Sequence, residues 1–103
     1  MIDSEDLYRF AKKIYPYDRS ITGEGVRKTL NSIKEILPRL KIQSVASGET
    51  AYDWLVPQEW KVRSAYIITP NGHKICDFTV NNLHIVGYSV SVDKKLSLHY
   101  IYY

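Results

Sequence analysis

The first apolar pattern along the chain predicts a helix from about residue 3 to residue 15. Asp3 or Ser4 can cap its start, and Pro16 ends it because the residue before a proline is pushed out of helical geometry. Acidic residues stand at the beginning and lysines at the end, as the helix dipole favours. The apolar face repeats at helical spacing and consists of Leu7, Phe10, Ala11 and Ile14.

A second helical pattern starts at Val26 and is closed by Pro38. Thr22 is the predicted N-cap, because a threonine hydroxyl accepts hydrogen bonds from the free amides of a first turn. Since the connection between the two helices is short, we expect them to pack against each other. The second apolar face consists of Val26, Leu30, Ile33 and Leu37.

After Pro38 the apolar period falls from about 3.6 to 2, which predicts β-strands. A hairpin is indicated at Pro70-Asn71-Gly72, where proline presets the turn and Asn-Gly supplies positive φ angles. Gly87 is typical of a bulge or a close backbone approach. The predicted strands cover residues 41–45, 52–56, 65–69, 73–78 and 84–92, with further turns at 47–49 and 81–82. The fold class is therefore α+β, with two N-terminal helices followed by a mostly antiparallel β-sheet.

Length and charge narrow the function. The 103 residues suit one domain or part of one. The net charge of +3 is spread over both halves, and without a basic arm or stripe nucleic-acid binding has little electrostatic support. No apolar run reaches the length of a membrane span, so no membrane partner is expected. A single cysteine, Cys76, excludes an internal disulfide, and we expect a cytoplasmic location.

The residue types that usually hold metals are dispersed. His73, His84 and His99 have no metal-ligand spacing between them, and Cys76 has no neighbouring base. Cys76 is expected to be a buried structural residue, as free cysteines usually are. The sequence therefore predicts no metal site, no cofactor and no catalytic residue in this chain.

The loop between the helices carries a candidate anion site. Glycines ahead of a helix leave free amides that favour an anion, and an arginine can bind a carboxylate or phosphate in a fork. The loop is not a Walker motif, because it lacks the Gly-Lys-Ser/Thr ending. A structural role, with Thr22 as a cap and Arg19 paired to Asp18 or to a backbone carbonyl, is the alternative. The candidate ligand-binding residues are Arg19, Ser20, Thr22, Gly23 and Gly25.

Two tryptophans form the second candidate site. Trp54 and Trp60 bracket a short polar and apolar segment, and paired aromatic rings on a sheet can bind a sugar or a peptide. The alternative is that both rings belong to the core, where tryptophan is usually found.

Four segments, taken together, carry a family resemblance. They are Tyr15-Pro16 with Arg19–Arg27, then Asp53–Trp60, Asp77-Phe78 and Asn82–Leu98. They resemble the N-terminal region of bacterial aminopeptidase-like proteins of the DUF4910 and DUF2172 type. The similarity runs in order through most of residues 7–98. Tyr17-Asp18 differs from the apolar-and-Cys pair expected before the Arg-Ser motif in that family.

The resemblance implies a main domain similar to the zinc-dependent aminopeptidases of the M28 clan, with a small β-rich domain inserted near its start. Residues 1–38 then begin the peptidase domain, and residues 39–103 belong to the inserted DUF2172-type domain, which can cover or shape the cleft. Family members are several times longer, and their zinc ligands and catalytic carboxylate lie in motifs that this chain does not contain. Zinc is therefore expected only in full-length relatives.

The end of the chain departs from the family pattern. After Leu98 the family continues into an acidic helical segment, where this chain has His99–Tyr103. We therefore expect a fragment or truncated member that is not catalytic by itself. Such a piece exposes apolar faces, which predicts self-association or docking to a partner protein. The alternative is a small binding module or scaffold subunit that recognises an anionic or sugar ligand or a partner protein.

Overall fold

The computed structural model describes residues 2–99. The aromatic tail predicted to mark a truncation lies outside the described residues from position 100 onward. Helix α1 spans Ser4–Ile14, as predicted. Asp3 is its cap and forms a capping box with Asp6: the Asp6 amide donates to Asp3 at 2.8 Å, and the Asp3 amide donates to Asp6 at 3.3 Å.

Helix α2 spans Glu24–Ile36, close to its predicted bounds. The predicted cap was wrong: Gly23 is the N-cap, and within residues 2–99 the helix has no side-chain cap. The Thr22 hydroxyl is buried instead, without a hydrogen-bond partner among the described residues. Glycine suits the cap position because the φ there is 144°, a backbone conformation that is strained for a residue with a side chain.

The β region consists of two separate hairpins. Strand β1 (Thr50–Ala51) pairs antiparallel with β2 (Trp54–Leu55). Strand β3 (Ile67–Ile68) pairs antiparallel with β4 (Lys74–Ile75). The second hairpin turns at Pro70–Gly72, as predicted, and Gly72 has a φ of 83°. The α+β class is confirmed, with small antiparallel strand pairs following the two helices.

Three predicted strands were wrong in position or existence. Within 52–56 the chain reverses at Tyr52-Asp53, where Tyr52 has a φ of 57°, so that segment is one arm and the turn of the first hairpin. The 41–45 segment is not a strand, and the 84–92 segment has no strand either. In its place a 3₁₀ helix, η1, spans Asn82–His84. Alternating apolar residues form a strand only when a partner strand is available, and none pairs with them in the described part.

Gly87 does not mark the close approach that the sequence predicted. A side chain there would meet nothing within 4 Å, and the residue lies in a turn with Tyr88. The close approach occurs at Gly25 instead, in the first turn of α2.

The described chain has almost no core. The buried residues between positions 2 and 99 are Gly23, Ser32 and Val62, so Val62 has the one buried apolar side chain. The radius of gyration is 18.0 Å, whereas a compact chain of this length has about 13 Å. The accessible surface is 9399 Å², against about 6,000 Å² for a compact monomer of this mass. The apolar faces that the sequence pattern produces are therefore largely uncovered.

No helix among residues 2–99 is both long and apolar enough to cross a membrane.

Candidate functional site

The two helices are held together at the loop that connects them, and Gly25 makes this junction possible. A Cβ on Gly25 would lie 1.8 Å from the carbonyl oxygen of Asp18 and 3.1 Å from the amide nitrogen of Arg19. The backbone of the loop thus lies directly against the first turn of α2. Only glycine leaves room for this contact.

Gly23 forms a second close contact, with the segment that follows β2. A Cβ there would lie 3.2 Å from the Ser20 hydroxyl and 3.4 Å from the Trp60 carbonyl oxygen. The Ser20 hydroxyl contacts that same carbonyl oxygen at 3.2 Å and also donates to the carbonyl oxygen of Thr22. The predicted binding loop is therefore joined to residue 60 through its own serine.

Arg19 connects the end of α1 to the middle of α2. Its Nη1 donates to the carbonyl oxygen of Ile14 at 2.7 Å and to the Thr29 hydroxyl at 3.3 Å. The Thr29 hydroxyl donates in turn to the carbonyl oxygen of Gly25 at 2.8 Å. A backbone carbonyl is one of the structural partners that the sequence predicted for Arg19. Anion binding by this loop stays a prediction.

Arg27 and Glu59 form an ion pair between α2 and the segment after β2. Arg27 Nη1 donates to Glu59 Oε1, and Nη2 donates to Oε2 at 3.1 Å, so the pair is bidentate. Arg27 Nε also donates to Glu24 at 3.2 Å. The hydrogen bond from Arg27 holds the pKa of Glu59 below its ordinary value, and the same carboxylates raise the pKa of Arg27. Both side chains are half exposed, so solvent weakens the pair.

Acid should weaken this pair. Because the folded pKa of Glu59 lies below its ordinary value of 4.5, the pair contributes stability above that pH and loses it as the pH falls through the folded pKa. We expect Glu59→Gln to flatten the pH dependence of the unfolding free energy below pH 4.5, measured by urea titration at several pH values. Arg27→Gln should flatten it equally, and high salt should reduce the difference. An unchanged slope in both variants would contradict the assignment.

Trp60 is held on two sides. Its ring stacks on Tyr88 with 6.1 Å between ring centroids, and its Nε1 donates to the carbonyl oxygen of Ser89 at 3.0 Å. Tyr88 Oη donates to the carbonyl oxygen of Gln58 at 3.1 Å. Trp54 lies in β2 and is 48% exposed. The structure therefore gives Tyr88 as the ring partner of Trp60, and a platform built from Trp54 and Trp60 stays a prediction.

The 3₁₀ helix is joined to the end of α1. Asn82 Nδ2 donates to the carbonyl oxygen of Tyr15 at 2.7 Å, and Tyr15 Oη donates to Asn81 Oδ1 at 3.3 Å. A pocket of about 230 Å³ lies beside this connection. It is lined by Tyr17, Asp18, Arg19, Asn82, Leu83, Ile85 and Gly87.

No group of three or more histidine, cysteine, aspartate or glutamate residues within 2–99 is placed to hold a metal ion. His84 Nδ1 lies 3.1 Å from the carbonyl oxygen of Asp77. The Asp77 carboxylate accepts from the Thr79 hydroxyl at 2.7 Å and the Thr79 amide at 2.9 Å, and these bonds lower its pKa.

The prediction that Cys76 is a buried structural residue was wrong. Cys76 is exposed and has a φ of 51°. The reason is that β4 ends at Ile75, so Cys76 lies in the bend that follows rather than inside a covered strand.

Sequence reasoning missed the residues that join the segments to one another. Arg27, Glu59, Tyr88 and Asn82 lie inside the segments that carry the family resemblance, but none was selected as a site residue. Their charges and rings gave a weak signal, because partners 32 and 67 residues apart cannot be paired from one sequence. In the structure a series of pairwise contacts joins these distant parts of the chain. We call the set the helix junction, meaning the Arg19–Gly25 loop with Arg27, Glu59, Trp60, Tyr88 and Asn82.

The fold and the helix junction describe an α+β segment whose distinctive residues hold chain segments together. Residues 8–100 match the family model described as "Domain of unknown function (DUF4910)", so the chain belongs to that family.

Two comparisons show what kind of protein this segment resembles. The chain is 44% identical over 93 residues to a Clostridium acetobutylicum protein named "Putative polysaccharide biosynthesis protein with aminopeptidase-like domain". That match covers 90% of this chain and 21% of the relative. A solved structure titled "Crystal structure of putative peptidase", also from Clostridium acetobutylicum, superposes with a TM-score of 0.86 at 42% identity. The superposition covers 95% of this chain and 23% of the chain in that structure. This chain therefore spans between a fifth and a quarter of the length of these two relatives.

Proposed function

We propose that this chain is the amino-terminal part of an aminopeptidase-like protein and that it supplies structure rather than a reacting group. The observation that carries the proposal is the uncovered apolar surface: within residues 2–99, Val62 is the one apolar side chain that is buried. A segment that spans about a fifth of its relatives and exposes its apolar faces is suited to pack against further protein.

We further propose that the two parts of the chain belong to different domains. Residues 1–38, which contain α1 and α2, begin the main peptidase domain. Residues 39–103 belong to an inserted β-rich domain of the DUF2172 type, which shapes the cleft. The helix junction supports this arrangement, because its contacts attach the later segments to the two helices near the Arg19–Gly25 loop.

The reaction of the full-length protein is part of the same proposal. We infer that it is a zinc-dependent hydrolase of the M28 type that removes amino-terminal residues from peptides. We propose that the metal ligands lie outside this chain; within residues 2–99 no group of three or more histidine, cysteine, aspartate or glutamate residues is placed to hold a metal ion. We also place the full-length protein in the cytoplasm.

Zinc content and peptidase activity test this function. The 103-residue chain should retain no zinc after dialysis and should not hydrolyse an aminoacyl p-nitroanilide, because we propose that the ligands and the base lie in the rest of the full-length protein. The full-length Clostridium relative, assayed in the same buffer, should bind zinc and hydrolyse the substrate. Stoichiometric zinc with activity in the short chain would contradict the proposal, as would a full-length relative with neither.

A binding module is the second candidate function, and the pocket of about 230 Å³ beside Arg19 favours it. A phosphate or carboxylate bound there would contact the guanidinium. If so, Arg19→Ala should lower phosphate affinity at least tenfold in isothermal titration, whereas Arg39→Ala, which does not line the pocket, should leave it unchanged. Equal affinity in wild type and both variants would remove this candidate.

A further inference from the structure

An apolar groove lies between the beginning of α1 and the end of α2. Its volume is about 300 Å³, and it is open to solvent on one side. We call it the α1 groove. It is lined by Ile2, Asp6, Leu7, Arg9, Phe10 and Ile36.

The groove exposes part of the apolar face of α1, whose residue pattern is typical of a buried helix face. The apolar stripe of α1 has the spacing of a core-facing helix. Its members Phe10 and Ile14 are half-buried, but Leu7 is 61% exposed. Leu37, just beyond the end of α2, is also exposed. The apolar stripe of α1 is therefore only partly covered, and α1 and α2 do not pack closely along their lengths.

The charges at the rim of the groove are already paired. Arg9 lies 3.4 Å from Asp6 across one turn of α1. Lys13 bonds to Glu35 at 2.7 Å, and this bond raises the pKa of the lysine. Among the described residues that line the groove, the two charged side chains are thus paired with each other. The complement of the groove is a ridge of aliphatic or aromatic side chains.

The exposed surface is large over the whole chain. The chain exposes about 3,400 Å² more than a compact monomer of its mass would. Large exposed apolar surface marks a site of contact with further protein. The relatives supply a source for such a partner, since more than three-quarters of their length lies outside the matched region.

We propose that the α1 groove is filled by an apolar ridge from the remaining part of an aminopeptidase-like polypeptide of this family. This inference rests on the proposed function and adds the surface through which the segment is joined to the rest of the protein. The groove is thus an internal packing surface of the full-length fold, and in the short chain it is an open docking site for that polypeptide.

Thiol protection tests the occupant of the groove. Leu7→Cys and, as a matched control on the charged side of the same helix, Lys12→Cys are each made in a Cys76→Ser chain, because Cys76 is exposed. The same two positions are changed in the full-length Clostridium relative after its own reactive cysteines are removed. The rate of iodoacetamide labelling is then measured in the native proteins. Sedimentation gives the mass of each species.

We expect the cysteine at position 7 to react readily in the short chain and at least about a hundredfold more slowly in the full-length relative, because protection reports the opening free energy of the packed fold. The cysteine at position 12 should react readily in both. Fast labelling at position 7 in the full-length relative would overturn the proposal. So would protection at position 7 in a dimer of the short chain, which would make a second copy the occupant. Loss of zinc or activity in the relative would refute the proposed function and leave this labelling result unaffected.

Discussion

Replacing Gly25 with alanine should abolish the helical structure of this chain at 25 °C. Alanine normally stabilises a helix relative to glycine by roughly 0.5–1 kcal/mol. Here its Cβ would lie 1.8 Å from the Asp18 carbonyl oxygen, so the loop and α2 must separate. Overpacking of this kind costs about 3 kcal/mol, a large loss for a chain with one buried apolar side chain. Far-ultraviolet circular dichroism measures the loss.

Gly87→Ala is the matched control for this substitution. A side chain at Gly87 would meet nothing within 4 Å, so we expect its effect on stability to stay within about 0.5 kcal/mol. A Gly25→Ala chain that keeps its helical signal and melts with or above the wild type would show that the loop does not lie against α2.

Replacing Trp60 with alanine should cost about 2 kcal/mol, which is roughly half of what a fully buried aromatic residue loses. The reason is that the ring is half-buried, stacks on Tyr88 and donates to the carbonyl oxygen of Ser89. These contacts attach the last described segment to the segment after β2. Urea unfolding followed by circular dichroism measures the change in free energy.

Trp54→Ala is the control, because Trp54 is exposed in a two-residue strand. We expect it to cost less than about 0.5 kcal/mol, as surface substitutions usually do. Phe in place of Trp60 should recover the stacking on Tyr88 without the hydrogen bond to Ser89. Equal losses for both tryptophans would contradict the assignment of Trp60 to the helix junction.

The helices could be predicted from the sequence because their signals are local. The spacing of Leu7, Phe10 and Ile14 and the stop at Pro16 lie within one short segment, and α1 follows them to within about a residue. The hairpin at Pro70–Gly72 was predicted for the same reason, since the turn chemistry is contained in three residues. The helix cap at Gly23 was missed because its cause is distant: the Trp60 carbonyl oxygen and the Ser20 hydroxyl occupy the space where a side chain would stand.

The long strands could not be predicted correctly because alternation reports a face suited to burial rather than the presence of a partner. Val86 and Val90 alternate as a strand should, yet they are 77% and 82% exposed. No strand in the described part pairs with them. Of the candidate site, the sequence identified the Arg19–Gly25 loop as unusual and named a carbonyl partner for Arg19. It did not reveal that the Trp60 carbonyl oxygen meets this loop, or that Glu59 pairs with Arg27 and Asn82 with Tyr15, because such contacts depend on the fold of the whole segment.

Amide hydrogen exchange is the most direct test of whether these residues are one part of a larger core. It is measured on the 103-residue chain and on the full-length Clostridium acetobutylicum peptidase of the solved structure, whose matched region has the same fold. We predict that amides in α1 and α2 exchange at least about a thousandfold more slowly in the relative, since local protection follows the free energy of opening. Equal protection in the two proteins would show that the short chain completes its own core and would contradict the account.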